Sequence, residues 1–152
     1  MAQTQHAEAA ATRQYATVKV GDLFLGIEVE KVQEVMRHQE MTDIPLAPAA
    51  ITGLINLRGQ IVIAVDARRS LGLPVETKPA AACNIIVRSE GGSISLLVDD
   101  IGDVLDVPLE SFAPVPENMP AERKELIDGV YNLRERLLLV LATERLLQRA
   151  CG

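Results

Sequence analysis

The chain has no tryptophan, and its aromatic side chains amount to 3% of 152 residues. Without aromatic platforms it lacks the stacking surfaces of single-strand nucleic-acid binders. A formal net charge of −6 removes the dense basic face that phosphate backbones and anionic membranes attract. Cys83 and Cys151 are the only cysteines and show no C-x-x-C spacing. They form neither a zinc knuckle nor the framework of a disulfide-rich secreted scaffold, which points to a reducing cytoplasm. The only histidines are His6 and His38, and no serine sits in a G-x-S-x-G elbow. A nucleophile with its base therefore has no support. Walker and G-x-G-x-x-G phosphate loops are absent too.

Long apolar runs are also missing. The longest covers 137–142, far short of the ~20 residues a spanning helix needs. The opening "MAQTQHAEAAATR" has no basic segment followed by an apolar one, so it is no secretory signal, and 1–13 reads as a flexible tail. The acids Asp99, Asp100, Asp103 and Asp106 do not fit the twelve-residue calcium loop and read as a solvated face on a strand and turn.

What is present is apolar and short in pitch. Hydrophobic residues make up 48% of the chain, chiefly Val, Ile, Leu and Ala. Short apolar runs broken by Gly, Pro and Asp predict many strands. Hairpins are expected over 15–27 around Gly21-Asp22, over 54–65 around Gly59, and over 83–100 around Gly91-Gly92. The stretch 27–36 mixes strand and helix spacing and reads as a strand end leading into a helical turn. Short helices are expected from Asp66 to a stop at Gly72, from Pro120, and over 143–150. The segment 74–82, with two prolines and no periodicity, reads as a linker.

The sequence repeats itself. Residues 53–71 align without gaps on 129–147, with Gly53/Gly129, Asn56/Asn132, Leu57/Leu133, Arg58/Arg134, Arg69/Arg145 and Leu71/Leu147 identical. Residues 27–36 align on 96–105: Val32, Val35 and Met36 meet Ile101, Val104 and Leu105, and Glu34 meets Asp103. Two similar small β-rich lobes follow, approximately 14–73 and 83–142, with a seam between them and a chain that can cross from one to the other. Lobes of this size usually close into barrels.

Arg58 stands in the break Asn56-Leu57-Arg58-Gly59. Two readings remain open: a solvated turn arginine, or a recognition group whose planar fork bridges carboxylates at an interface. In the second copy Glu135 takes the place of Gly59. Val32, Val35, Ile101 and Val104 are likewise either core or the aliphatic lining of a helix-docking groove at the seam.

Taken together, "FLGIEVEKVQEV", "GLINLRGQIVIAVDARRSLGL", "LLVDDIGDVLDVP" and "IDGVYNLRERLLLVLATERLL" resemble the CheW-type coupling proteins of bacterial chemotaxis, over about 15–148. The resemblance implies a mainly β domain over 14–150 of two five-stranded, SH3-like barrel lobes, with no catalysis and no cofactor. It implies a cytoplasmic adaptor, recruited to membrane-associated receptor arrays, that binds chemoreceptor tips and the regulatory domain of the CheA histidine kinase. Carried onto this sequence, the receptor groove would hold Val32, Glu34, Val35, Gly53, Asn56, Arg58, Ile101 and Val104. The kinase contacts would fall around Asn84, Ile85, Ile86, Val87 and Gly91.

The sequence departs from the family's usual "IVPVIDLR" at Ala64 and Ala67, while Arg68 keeps the charge. Three alternatives stand beside the stand-alone adaptor. One is a regulatory module of a larger signalling enzyme, which the opening methionine and the absence of a kinase core or receiver domain disfavour. Another is an adaptor of a chemotaxis-like pathway controlling pili, surface motility or development. The third is an enzyme with an unrecognised site.

Overall fold

A computed structural model describes residues 11–37, 41–74, 83–90 and 92–151. Most of the expected tail and linker, both histidines and Gly91 lie outside the described residues. The strands are β1 (Thr12–Val20), β2 (Leu23–Glu28), β3 (Val32–Arg37), β4 (Ile51–Leu57), β5 (Gln60–Asp66), β6 (Cys83–Ser89), β7 (Gly92–Val98), β8 (Asp100–Pro108), β9 (Phe112–Ala113), β10 (Ile127–Asn132) and β11 (Leu137–Leu141). Short helices α1 (Ala67–Ser70) and α2 (Ala121–Lys124) and the longer α3 (Thr143–Cys151) complete the fold, with single 3-10 turns at Val29–Lys31 and Leu109–Ser111.

The expected hairpins form, and local chemistry explains them. Gly21 turns the β1–β2 hairpin at φ 60. Asp66 starts α1 by accepting hydrogen bonds from the backbone N–H groups of Arg68 and Arg69, and Gly72 follows it at φ 73. The stretch 27–36 proves to be two strands around a 3-10 turn rather than a strand running into helix. A bulge between Val32 and Glu34 in β3 explains its mixed spacing.

The strands assemble into two sheets, ordered β8-β1-β2-β11-β10-β9 and β3-β6-β7-β5-β4. Among the described residues the sheets curl without a ladder that closes either order. The two expected lobes are each divided between the sheets. The hairpin β1–β2 of the first half sits with β8, β10 and β11 of the second, while β6–β7 of the second sits with β3, β4 and β5 of the first. Each half thus donates its opening hairpin to the other's sheet.

The repeat holds residue by residue across this exchange. Val35 pairs with Ile85 in one sheet and Val104 with Ala16 in the other. Ile63 pairs with Ile94 in parallel, and Leu139 with Leu25 in parallel. Even the register irregularities recur, before Gly53 and before Gly129.

The sheets bury one shared core. Val18, Leu25, Ile27, Leu139 and Leu141 come from the first, Val65, Ile85, Val87, Ile94 and Leu96 from the second, and Leu146 from α3. Each such side chain contributes about 1.5–3 kcal/mol of burial. Inside the curl of the first sheet lies a smaller cluster of Tyr15, Phe24, Val107, Tyr131, Leu138 and Val140. Leu57, Val62 and Ile86, with Met36 beside them, fill the curl of the second.

Candidate partner-binding site

The β4–β5 turn is built from two left-handed residues, Arg58 at φ 53 and Gly59 at φ 85. Positive φ at both central positions is the type I′ hairpin turn, which fits the natural strand twist. Asn56 locks it: its side-chain Oδ1 accepts the Gly59 N–H at 3.0 Å. In the second copy, Arg134 and Glu135 stand outside the left-handed region, although Leu133 N–H still bonds Arg136 C=O at 2.9 Å. Glycine at 59 is what admits the tight turn, and the turn fixes where Arg58 points.

Arg58 points back over its own sheet. Its Nη2 donates to Oε1 of Glu34 on β3, the strand at the opposite edge of the sheet order from β4. Sheet curl brings the two ends together. Alternation on β3 turns Val32, Glu34 and Met36 inward and Gln33, Val35 and Arg37 outward. The Glu34 side chain is only 22% exposed and Oε2 is buried without a hydrogen-bond partner, whereas Arg58 is 69% exposed. Arg58 therefore lids a half-buried carboxylate. The hydrogen bond to Glu34, together with its charge, holds the guanidinium above its ordinary pKa.

The other expected groove residues take different places. Gly53 is buried, and a Cβ there would stand 2.7 Å from the Thr42 carbonyl oxygen. It lets the preceding segment approach β4, where Thr42 and Leu54 exchange backbone hydrogen bonds at 2.8 Å. Val32 and Ile101 pack on the margin of the shared core. Val35 and Val104, equivalent in the repeat, are 48% and 55% exposed on the edge strands of different sheets. The structure brings together Glu34, Asn56 and Arg58, and leaves Val35 and Val104 as free aliphatic surface.

The expected kinase contacts on β6 lie in the interior of the second sheet. Asn84, Ile85, Ile86 and Val87 are wholly buried. They lie in β6, paired on both sides by β3 and β7. Asn84 Nδ2 donates to Ser95 Oγ at 2.8 Å. Neither side chains nor strand edge are open to a partner there, and Gly91 lies outside the described residues. Ile61, 61% exposed, is an outward-facing member of the apolar block 61–65 that the apolar run alone does not distinguish. A signal existed: it pairs across the hairpin with the polar Asn56, which marks a solvent-facing pair.

Arg68, at the site of the family departure, is structural. It donates to Asp99 and, at 3.1 Å, to the Pro74 carbonyl. Asp99 also accepts the Gly21 N–H at 2.7 Å. One carboxylate thus ties α1 to the β1–β2 turn at the point where the chain crosses from β7 to β8. Among the described residues no helix is long and apolar enough to cross a membrane.

Residues 14–151 match the sequence model of the family described as CheW-like domain. The chain is similar to the chemotaxis protein CheW of Klebsiella aerogenes, 29% identical over 135 residues that cover 89% of this chain and 81% of that one. It is similar to protein FrzA of Myxococcus xanthus, 26% identical over 146 residues, covering 95% and 91%. Its fold is similar to that of the scaffolding protein TtCheW from Thermoanaerobacter tengcongensis, with a TM-score of 0.81 at 24% identity, covering 90% of this chain and 92% of that chain.

Proposed function

The chain belongs to the CheW-like domain family, and on that premise we propose that it is a non-catalytic adaptor coupling chemoreceptor tips to a CheA-type histidine kinase. It works in the cytoplasm, at membrane-associated receptor arrays. The observation that carries this reading is the family match across nearly the whole chain, with the N-L-R-G hairpin inside it.

The exposed pair Val35 and Val104 supplies aliphatic anchors for an amphipathic receptor helix. Arg58, fixed by its turn, supplies the polar edge. Val32 and Ile101 hold the edge strands against the core. The kinase surface is carried by residues other than the buried Asn84, Ile85, Ile86 and Val87. Such an adaptor transmits a signal only by binding one kinase or receptor state more tightly than the other.

The similarity to FrzA over 95% of the chain supports a second reading, service in a chemotaxis-like pathway controlling pili, surface motility or development. Calorimetric titration against two purified fragments, a receptor tip hairpin and a kinase regulatory domain, tests the adaptor. Binding to both is the expected result. A folded protein that binds neither at tens of micromolar overturns it.

A further inference from the structure

Two described residues other than glycine have positive φ, Arg58 and Leu46. Leu46 lies in the turn Ile44-Pro45-Leu46-Ala47, closed by the Ala47 N–H on the Ile44 carbonyl at 3.3 Å. Proline at the second position and φ 63 at the third make this the arrangement of a type II turn. That third position ordinarily takes glycine or asparagine, because a Cβ is crowded there. A branched apolar side chain stands in it instead, with relative exposure 103%.

Both choices work against the free protein. The backbone is strained, and a full leucine is left in water. Among the described residues nothing packs over the side chain. The turn is nevertheless rigidly mounted. Pro45 fixes one side, Ile51 N–H bonds Pro48 C=O at 3.0 Å on the other, and Asp66 N–H bonds Ala50 C=O at 2.8 Å. The Thr42–Leu54 pair holds the incoming segment against β4. Leu46 thus precedes β4 and Arg58 follows it, at opposite ends of one strand.

We propose that Leu46 is a preorganised anchor that inserts into an apolar cleft, rimmed by basic groups, on a protein partner of this adaptor. A rigid turn inserts its side chain with little ordering cost. The basic rim follows from charge. Asp43 is the only charged residue in 41–50, and the whole chain carries −6. The same charge disfavours a second copy of the chain as the occupant. The proposal rests on the adaptor reading for the identity of the partner, and it names a contact that the groove around Arg58 does not include.

The test uses the full chain and four variants: Leu46→Gly, Leu46→Asp, Leu46→Met and Asp43→Lys. Thermal melts should give Leu46→Gly a Tm equal to or above wild type. A Tm several degrees lower would mean the leucine packs on its own chain and would overturn the proposal. Calorimetry then uses the receptor tip hairpin and the kinase regulatory domain as separate titrants. Against one of them, Leu46→Gly and Leu46→Asp should bind at least tenfold more weakly, Leu46→Met within threefold, and Asp43→Lys several-fold more weakly. Wild-type affinity of all four for both fragments would overturn the anchor while leaving the adaptor standing. A wild type that binds neither fragment overturns both, with the melts still reporting on the turn.

Discussion

Arg58 closes over Glu34 from a backbone conformation that arginine seldom adopts. The turn holds the guanidinium at the surface while Glu34, on the far edge strand, is turned inward. Arg58 is exposed but the carboxylate it covers is not, so its loss leaves Glu34 without this donor. Arg58→Ala should therefore melt slightly below wild type, and Arg58→Gly, which also relieves the left-handed strain, should melt closer to it. Both should weaken one of the two partner fragments by tenfold or more in calorimetry. Unchanged binding of both fragments by either variant would make Arg58 a turn residue only.

The equivalence of Val35 and Val104 separates surface from core. Val35→Asp and Val104→Asp place charges on exposed edge positions, so each should cost under about 0.5 kcal/mol in denaturant unfolding. Both should abolish binding of the receptor fragment. Val32→Asp and Ile101→Asp bury a charge at the core margin and should cost about 2–4 kcal/mol. Destabilisation by all four alike would mean the groove reading has mistaken core for surface.

Arg68 and Asp99 join the two sheets where the chain crosses. Their side chains are 14% and 33% exposed. Arg68→Ala leaves Asp99 with only the Gly21 N–H and strips the Pro74 carbonyl of its donor, at a cost of about 1–3 kcal/mol. Arg68→Lys should recover less than half, since one ammonium replaces a planar fork that reaches both acceptors. Urea unfolding of the three proteins measures this. Full recovery by lysine would reduce the contact to simple charge.

Tyr15 is buried with its ring 5.5 Å from that of Tyr131 and tilted 56° to it, and burial together with its hydrogen bond to Tyr131 raises its hydroxyl pKa above the ordinary tyrosine value. A raised folded pKa means that the unfolded chain loses this proton first. The stability it contributes is therefore full below about pH 10 and declines as pH rises beyond that. Tyr15→Phe should flatten the decline in a series of melts from pH 8 to 11. An identical slope for both proteins would assign alkaline sensitivity elsewhere.

Local structure was readable because local chemistry wrote it. Gly21 and Gly59 mark hairpins, Asp66 and Gly72 bracket a helix, and the matched Gly53/Gly129 and Arg58/Arg134 expose the repeat. The exchange of hairpins was not readable. Spacing reports that β2 is a strand, but not that Leu25 pairs with Leu139 more than a hundred residues away. The burial of Ile85, Ile86 and Val87 has a signal in the sequence, since a continuous apolar run marks a strand covered on both faces, whereas that of the polar Asn84 has none. Leu46 was invisible because a loop leucine carries no sign of its φ or its exposure.

The exchange itself makes a strong claim about folding. The shared core draws Leu25 from one sheet and Leu96 from the other, and each half of the chain is represented in both sheets. Neither sheet can leave the other with its strands complete. Leu96→Ala should cost about 2–5 kcal/mol by transfer and cavity terms. The loss should appear equally in both sheets. Hydrogen exchange under mild urea reads this directly: amides of β1, β2 and β11 should accelerate by the same factor as those of β6 and β7. Acceleration confined to the second sheet, or two separate unfolding transitions, would show lobes that fold independently despite the shared strands.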